Sequence, residues 1–369
     1  MRVVVCGGGV IGACTAYFLS RRGIDVIVVE RTHVAAAASG KAGGFLALDW
    51  CAGSPLDALA RRSFELHAAL ADEIAGDWAY RRMNAFSGLV VPAEEPNGSG
   101  AIKLDWLSDR VKIAYRLGTP ETTAIVHPRK FTSAMMGSAQ TSGAELRTGQ
   151  ITELVQSADG SKVAGVEVDS APIEADAVVL AMGPWSLLAS QWTALPAVFG
   201  QRSPSLVYDT GTDVGADALF LEYQDERGSA VSVEVFPRAD GSTHVTAFSD
   251  IASLPLDPAA VTPDASALDR LEAICQKLST VFRPERIIAR QACFRPVTED
   301  GLPLIGALPQ LEGGYVATGH NVWGILNAPA TGEALAELIG DGAARSCDLT
   351  AFDPSRLPSL DPALLHRTV

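Results

Sequence analysis

The chain opens on a short apolar run, residues 2–6 (RVVVC), followed by Gly7-Gly8-Gly9. A run of this length closed by glycine predicts a fully buried strand. Residues 10–22 place Ile11, Cys14, Ala16, Phe18 and Leu19 on or near one side of a helix that Gly23 ends. Residues 25–29 (DVIVV) predict a second buried strand, closed by Glu30. Strand, helix and strand within about 30 residues make a βαβ unit with parallel strands. Leu59, Leu66, Leu70 and Ile74 form a stripe that predicts an amphipathic helix over 56–75, on which His67 reads as an ordinary surface or core histidine. A loop is expected over 92–101 (PAEEPNGSGA), and a helix over 128–142 with Pro128 in its first turn. Alternating runs at 150–156 and 163–168 flank Asp159-Gly160 and predict a hairpin or meander. The all-apolar run 177–182 (AVVLAM) belongs inside a parallel sheet. From about 190 to 290 the pattern changes. Runs at 205–208, 219–223, 230–236 and 243–248 read as antiparallel strands, with a turn at Asp240-Gly241. A helix over 266–282 turns Leu268, Leu271, Ile274, Leu278 and Phe282 inward, and after Cys293 come Gly-rich loops and a final helix near 328–340.

The 369 residues suggest two or three domains. Apolar residues at 47% and charged ones at 20% suit a globular chain. The net charge of −14 argues against a nucleic-acid binder, which needs a basic face, and against a polybasic membrane anchor. The first apolar run is too short for a signal peptide, and no stretch reaches the ~18 uninterrupted apolar residues of a membrane helix. Six scattered cysteines without a CxxC pair exclude a disulfide scaffold and a Cys-rich zinc site. They fit a reducing compartment, so a cytoplasmic location and no metal are expected.

The motif Gly7-x-Gly9-x-x-Gly12 sits between the first strand and the first helix. Its glycines allow a tight turn, close approach of a pyrophosphate and close packing of helix on strand, and the helix N-terminus offers free N–H groups to phosphate. Glu30 follows Gly12 by 18 residues, where an acid would bind ribose hydroxyls and disfavour a 2′-phosphate. The motif alone suits FAD or NAD. The Gly/Ala-rich stretch 32–48 (THVAAAASGKAGGFLAL) and a second glycine cluster near the C-terminus suggest an extended cofactor touching distant segments, which favours FAD.

Three segments carry a resemblance: VVVCGGGVIGACTAYFLSRRG with VIVVER, ADAVVLAMGPWS at 175–186, and FRPVTEDGLPLIGALPQLEGGYVATGHNVWGILNAPATGEALAELI at 294–339. The chain resembles the FAD-dependent oxidoreductases of the D-amino-acid oxidase, glycine oxidase and sarcosine oxidase family. The resemblance implies an α/β fold in which a Rossmann-like FAD-binding domain (1–50, 125–190 and 290–350) carries an inserted antiparallel-sheet substrate or cap domain (51–124 and 191–289). It places Gly7, Gly9, Val10, Ile11 and Gly12 at the pyrophosphate, Glu30 and Arg31 at the adenosine ribose, and Ala38 and Ser39 at phosphate. Gly43, Gly44 and Phe45 would lie near the isoalloxazine, Ile151 would meet adenine, and Gly183 would belong to a second flavin-contacting turn. His320, Asn321, Val322, Trp323, Gly324, Ile325 and Leu326 would pass along the flavin's pyrimidine end. There a helix N-terminus would stabilise the negative charge of the reduced ring.

The same resemblance implies catalytic roles. Arg295 would pair with a substrate carboxylate, its competing partners being Glu299 and Asp300. Glycine oxidase-like chains carry a second Arg where this one has Val322. Glu234 stands in a substrate-facing strand where those chains carry Tyr, and an acid there could bind a cationic amine. His244 falls where sarcosine oxidase-like chains have a Lys at the flavin face. Cys293 falls where sarcosine oxidases bond covalently to the flavin, although glycine oxidase-like chains have Gly there. The expected activity is oxidation of a C–N bond in a small amine or amino acid. Hydride would pass to flavin N5, water would hydrolyse the imine, and dioxygen or another acceptor would reoxidise the flavin. An NAD-dependent dehydrogenase, a flavin dehydrogenase with a non-oxygen acceptor, and a non-catalytic FAD-binding assembly or trafficking factor remain alternatives. Oligomeric state is left open.

Overall fold

A computed structural model of the chain describes residues 1–74, 76–91, 102–224 and 230–367. The loop expected over 92–101 lies outside them. Along the chain run β1 (Arg2–Cys6), α1 (Val10–Arg21), β2 (Asp25–Glu30), α2 (Asp57–Glu73), β3 (Asn84–Val90), β4 (Val111–Gly118), α3 (Pro128–Thr141) and β5 (Glu145–Thr148). Then come β6 (Ala177–Leu180), β7 (Phe199–Asp209), β8 (Asp217–Gln224), β9 (Ala230–Pro237), β10 (Ser242–Thr246), β11 (Asp250–Ile251) and α4 (Ala265–Leu278). The last are β12 (Ile287–Val297), β13 (Leu304–Ala307), β14 (Gly314–Thr318) and α5 (Gly324–Asp341).

The first sheet has the order β13-β14-β6-β1-β2-β5, parallel except for β13 against β14. Its central strand is apolar throughout because both faces are covered. Val3 and Val5 join the core under α1, α2, α3 and α5, while Val4 and Cys6 point to the opposite core, under the hairpin of 151–156 and 163–168. The expected βαβ unit is therefore present, and all six cysteines are free and buried. No helix among the described residues is long and apolar enough to cross a membrane.

The second sheet runs β11-β7-β10-β9-β8-β3-β4, with β12 along β7. It packs on α4 through Leu268, Leu271, Ile274 and Leu278. Its pairs are antiparallel except β3 with β8.

Two expectations are corrected. The Gly-rich loops expected after Cys293 begin only past Val297, because Ile287–Val297 is an 11-residue strand paired with β7 from Phe199↔Val297 to Tyr208↔Ile287. Arg290, Gln291 and Arg295 break its apolar pattern, and the ladder supplies what propensity does not. The expected boundary at residue 290 falls inside this strand. The final helix begins at Gly324, four residues before the expected start, and runs through Pro329. That proline masks the helical signal.

Candidate active site

Between the two sheets lies one cavity of about 880 Å³. One wall is the turn from β1 into α1, where Gly7, Gly9, Val10 and Ile11 line it. Gly7 has φ +115°, and a Cβ on Gly12 would lie 2.0 Å from the Gly7 carbonyl oxygen. Gly12 therefore lies beneath the turn, not on the cavity wall, and lets helix and loop meet. The Glu30 carboxylate accepts from the Gly8 N–H at 2.7 Å and the Thr32 N–H at 2.9 Å, fixing the loop while it also faces the cavity. Val10 N–H donates to Ser39 Oγ at 2.9 Å, which ties the next segment to the helix start. Arg31, Ala38, Ser39, Ile151 and Gly183 line the same cavity.

At the opposite side Gly43, Gly44 and Phe45 form a wall. Gly44 has φ +93°, and a Cβ there would lie 2.0 Å from the Val126 carbonyl oxygen. Arg238, 6% exposed, donates to the Ala42 carbonyl at 2.7 Å and to the Gly43 carbonyl at 3.3 Å. Burial lowers its pKa to about 10, opposed by Asp240, so it stays a cation behind the loop. Across from it, His320, Asn321, Val322, Trp323, Gly324 and Ile325 line the cavity. His320 is held by Thr331 Oγ1 at 3.1 Å, and burial pushes its pKa down to about 3. Leu326, 1% exposed, turns into the helical core instead.

The wall formed by the second sheet gathers Arg295, Glu234, His244 and Cys293 from β12, β9 and β10. Arg295 is not bridged to Glu299 or Asp300, and Asp300 is taken by Arg356 at 2.7 Å. Its guanidinium donates to Gln201 Oε1 at 3.1 Å, Asn321 Oδ1 at 3.4 Å and Ser249 Oγ, while its buried Nε has no partner among the described residues. Burial raises the pKa of Glu234, and the charge of Arg295 only partly offsets this. Burial, with Arg238 and His127 nearby, holds His244 well below the usual histidine range. The Cys293 thiol is pushed up to about 11 by burial, with Lys41 and Arg295 acting against it.

Phe45, Trp50, Phe220 and Phe236 add a contiguous aromatic wall, with Trp50 and Phe220 centroids 4.8 Å apart. Of this wall sequence reasoning named only Phe45, and it missed Arg238, Lys41, Gln201 and Ser249. Arg238 follows a strand and precedes an Asp-Gly turn, so locally it looks solvated. Only the fold buries it.

A glycine turn at the end of a parallel strand, a helix start and a cavity reaching the second sheet fit an FAD-dependent oxidoreductase. The chain belongs to the DAO family of FAD-dependent oxidoreductases, whose family model matches residues 2–338. A Schizosaccharomyces pombe protein described only as an oxidoreductase is 29% identical over 383 residues, covering 95% of this chain and 97% of its own. The glycine oxidase of Pseudomonas putida is 27% identical over 365 residues, covering 92% and 94%. The crystal structure of glycine oxidase from Geobacillus kaustophilus superposes with TM-score 0.80 at 24% identity over 96% of this chain and 99% of that one, a likeness of fold.

Proposed function

We propose that the enzyme oxidises the C–N bond of an amino acid taken up as a zwitterion, with Arg295 receiving the carboxylate and Glu234 the ammonium. One observation carries this reading: a half-buried cation and a half-buried acid face the same cavity, and neither is neutralised by an ion pair among the described residues. Such a pair complements a ligand with one charge of each sign. The P. putida relative is named a glycine oxidase, and a 27% identical relative from Cereibacter sphaeroides a D-amino acid dehydrogenase.

FAD suits the cavity because Gly7, Gly9 and the start of α1 line it, and the turn there closes only because backbone occupies the Cβ positions of Gly7 and Gly12. In this reading Glu30, Arg31 and Ile151 hold its adenosine end, and Val10, Ile11, Ala38 and Ser39 its pyrophosphate. Gly43–Phe45, Gly183 and His320–Ile325 hold its ring. Residues 1–50, 125–190 and the chain after β12 serve the cofactor, and 51–124 and 191–289 with β12 the substrate. When bound, FAD supplies the acceptor for the hydride leaving the carbon beside nitrogen.

The chain does the rest. Arg295, already oriented by Gln201 and Ser249, fixes the carboxylate end. Glu234 in its ionised form takes a proton from the ammonium and frees the nitrogen lone pair, so that loss of hydride leaves an imine that water hydrolyses. The aromatic wall gives the reacting carbon an apolar face. Burial pushes the Cys293 thiol up to about 11, which disfavours the thiolate that a covalent bond to the ring would need.

The test is anaerobic bleaching of the flavin band by amino acids and by carboxylate-free amines. Arg295→Met is expected to weaken amino acids by about 10- to 100-fold, the worth of a charge-assisted hydrogen bond, and to leave carboxylate-free amines nearly unchanged. Equal losses for both classes would remove the role of Arg295. Peroxide release on mixing with air, compared with dye reduction, tells dioxygen from another acceptor.

A further inference from the structure

We propose that Ser63 and His67, one turn apart on α2, are positioning residues that hold the first turns of α5 in the shape that meets the cofactor. The inference rests on the placement of the flavin ring along His320–Ile325.

Pro329 sits inside α5 and has no N–H, so the carbonyl four residues earlier, that of Ile325, loses its helical donor. His67 replaces it. Its Nε2 lies 2.9 Å from the Ile325 oxygen and 3.2 Å from the Leu326 oxygen. Both partners are acceptors, so Nε2 carries the proton. The next amide, that of Ala330, donates to Ser63 Oγ at 3.1 Å. Ser63 and His67 are both completely buried, and their spacing puts them on one face of α2. Gly324 and Ile325 line the cavity, so the carbonyl held by His67 belongs to the peptide at the cavity wall.

A packing role alone does not account for an imidazole here. Its Nδ1 is buried without a partner among the described residues, a burden that an apolar ring would avoid. Phe131 packs against the ring at 4.7 Å and fixes its direction. Burial pushes the His67 pKa down to about 4, so the ring stays neutral and offers a single N–H.

The test uses the flavin-loaded protein and four variants: H67F, H67Q, S63A and P329A, with the double variant H67F/P329A. Hydrogen exchange is followed over residues 324–330, together with the FAD dissociation constant and the flavin midpoint potential. H67F is expected to lose amide protection there, to bind FAD about 10-fold more weakly and to shift the potential. H67Q, which keeps a donor, recovers part of each loss, and S63A shows a smaller loss of the same kind. P329A returns an N–H to the Ile325 carbonyl, so adding H67F to it is expected to have less effect than H67F alone. Unchanged protection in S63A and H67F, or strict additivity of H67F with P329A, overturns the proposal. If H67F does not fold, S63A decides alone. Altered protection with unchanged affinity and potential overturns instead the placement of the ring at this segment, and the proposal with it.

Discussion

Glu234 stands on β9 between Val233 and Val235, both fully buried, in an alternation that marks one face of a sheet. From the sequence it is an acid that could meet an amine. The fold adds that it faces a cavity in which Arg295, the cation that acts on it, donates to Gln201 and Ser249. Its pKa is raised because burial penalises the carboxylate more than Arg295 relieves it. A base must be ionised to act, so kcat/KM is expected to fall as pH drops through a value above the usual carboxylate range. Glu234→Gln should abolish that acidic limb and lower kcat/KM by about 100-fold or more, the usual worth of proton transfer. An acidic limb unchanged in the variant would assign the titration to another group. Arg238 shows the opposite case: nothing in FPRADG separates a buried cation holding two carbonyls from a solvated one.

The βαβ unit was legible because its signals are local. Burial on both faces makes β1 and β2 apolar throughout, and the glycine spacing belongs to one turn. Gly12 tests how strictly that turn is set. A Cβ there would strike backbone, the Gly7 oxygen at 2.0 Å, and cannot be relieved by a rotamer. Gly12→Ala is expected to destabilise by about 1–3 kcal/mol as an overpacked contact and to lower the flavin-to-protein ratio of the purified enzyme. Gly137→Ala, in α3 with nothing within 4 Å of the added Cβ, should keep the ratio and gain about 0.5–1 kcal/mol of helix stability. Matching flavin ratios in the two variants would remove the turn from cofactor binding. Elements held by distant partners were not legible. β12 is made by its ladder to β7, and the start of α5 by a donor, His67, and an acceptor, Ser63, on α2, and neither leaves a periodic trace in its own segment.

Buried histidines couple the whole molecule to pH. His67 and His127 are pushed down to about 4 and His320 to about 3, chiefly by burial. The unfolded chain protonates its histidines near ~6.5, so between there and these lower values it binds protons that the native state refuses. Native stability therefore falls as pH drops from ~6.5 toward 4, by at most ~1.4 kcal/mol per pH unit for each histidine. The net charge of −14 acts the other way, since acidification relieves self-repulsion. Salt at ~0.5 M shortens the screening length to a few ångströms and removes most of that opposing effect. In such salt Tm is expected to fall steadily from pH 6.5 to 4.5. A rising Tm would mean that these rings are solvated.

Taken alone, the residue order determined the dinucleotide-binding start, the parallel core strands, the main helices and the kinship to FAD-dependent oxidoreductases, because each is written in contiguous residues with a fixed period or spacing. Tertiary structure decided which charges are buried and unpaired. It brought Arg295, Glu234 and His244 from three strands to one cavity wall, turned Leu326 into the core, and made His67 a donor to a proline-broken helix. Burial and proximity between distant segments arise only when the chain closes on itself, and no local pattern encodes them.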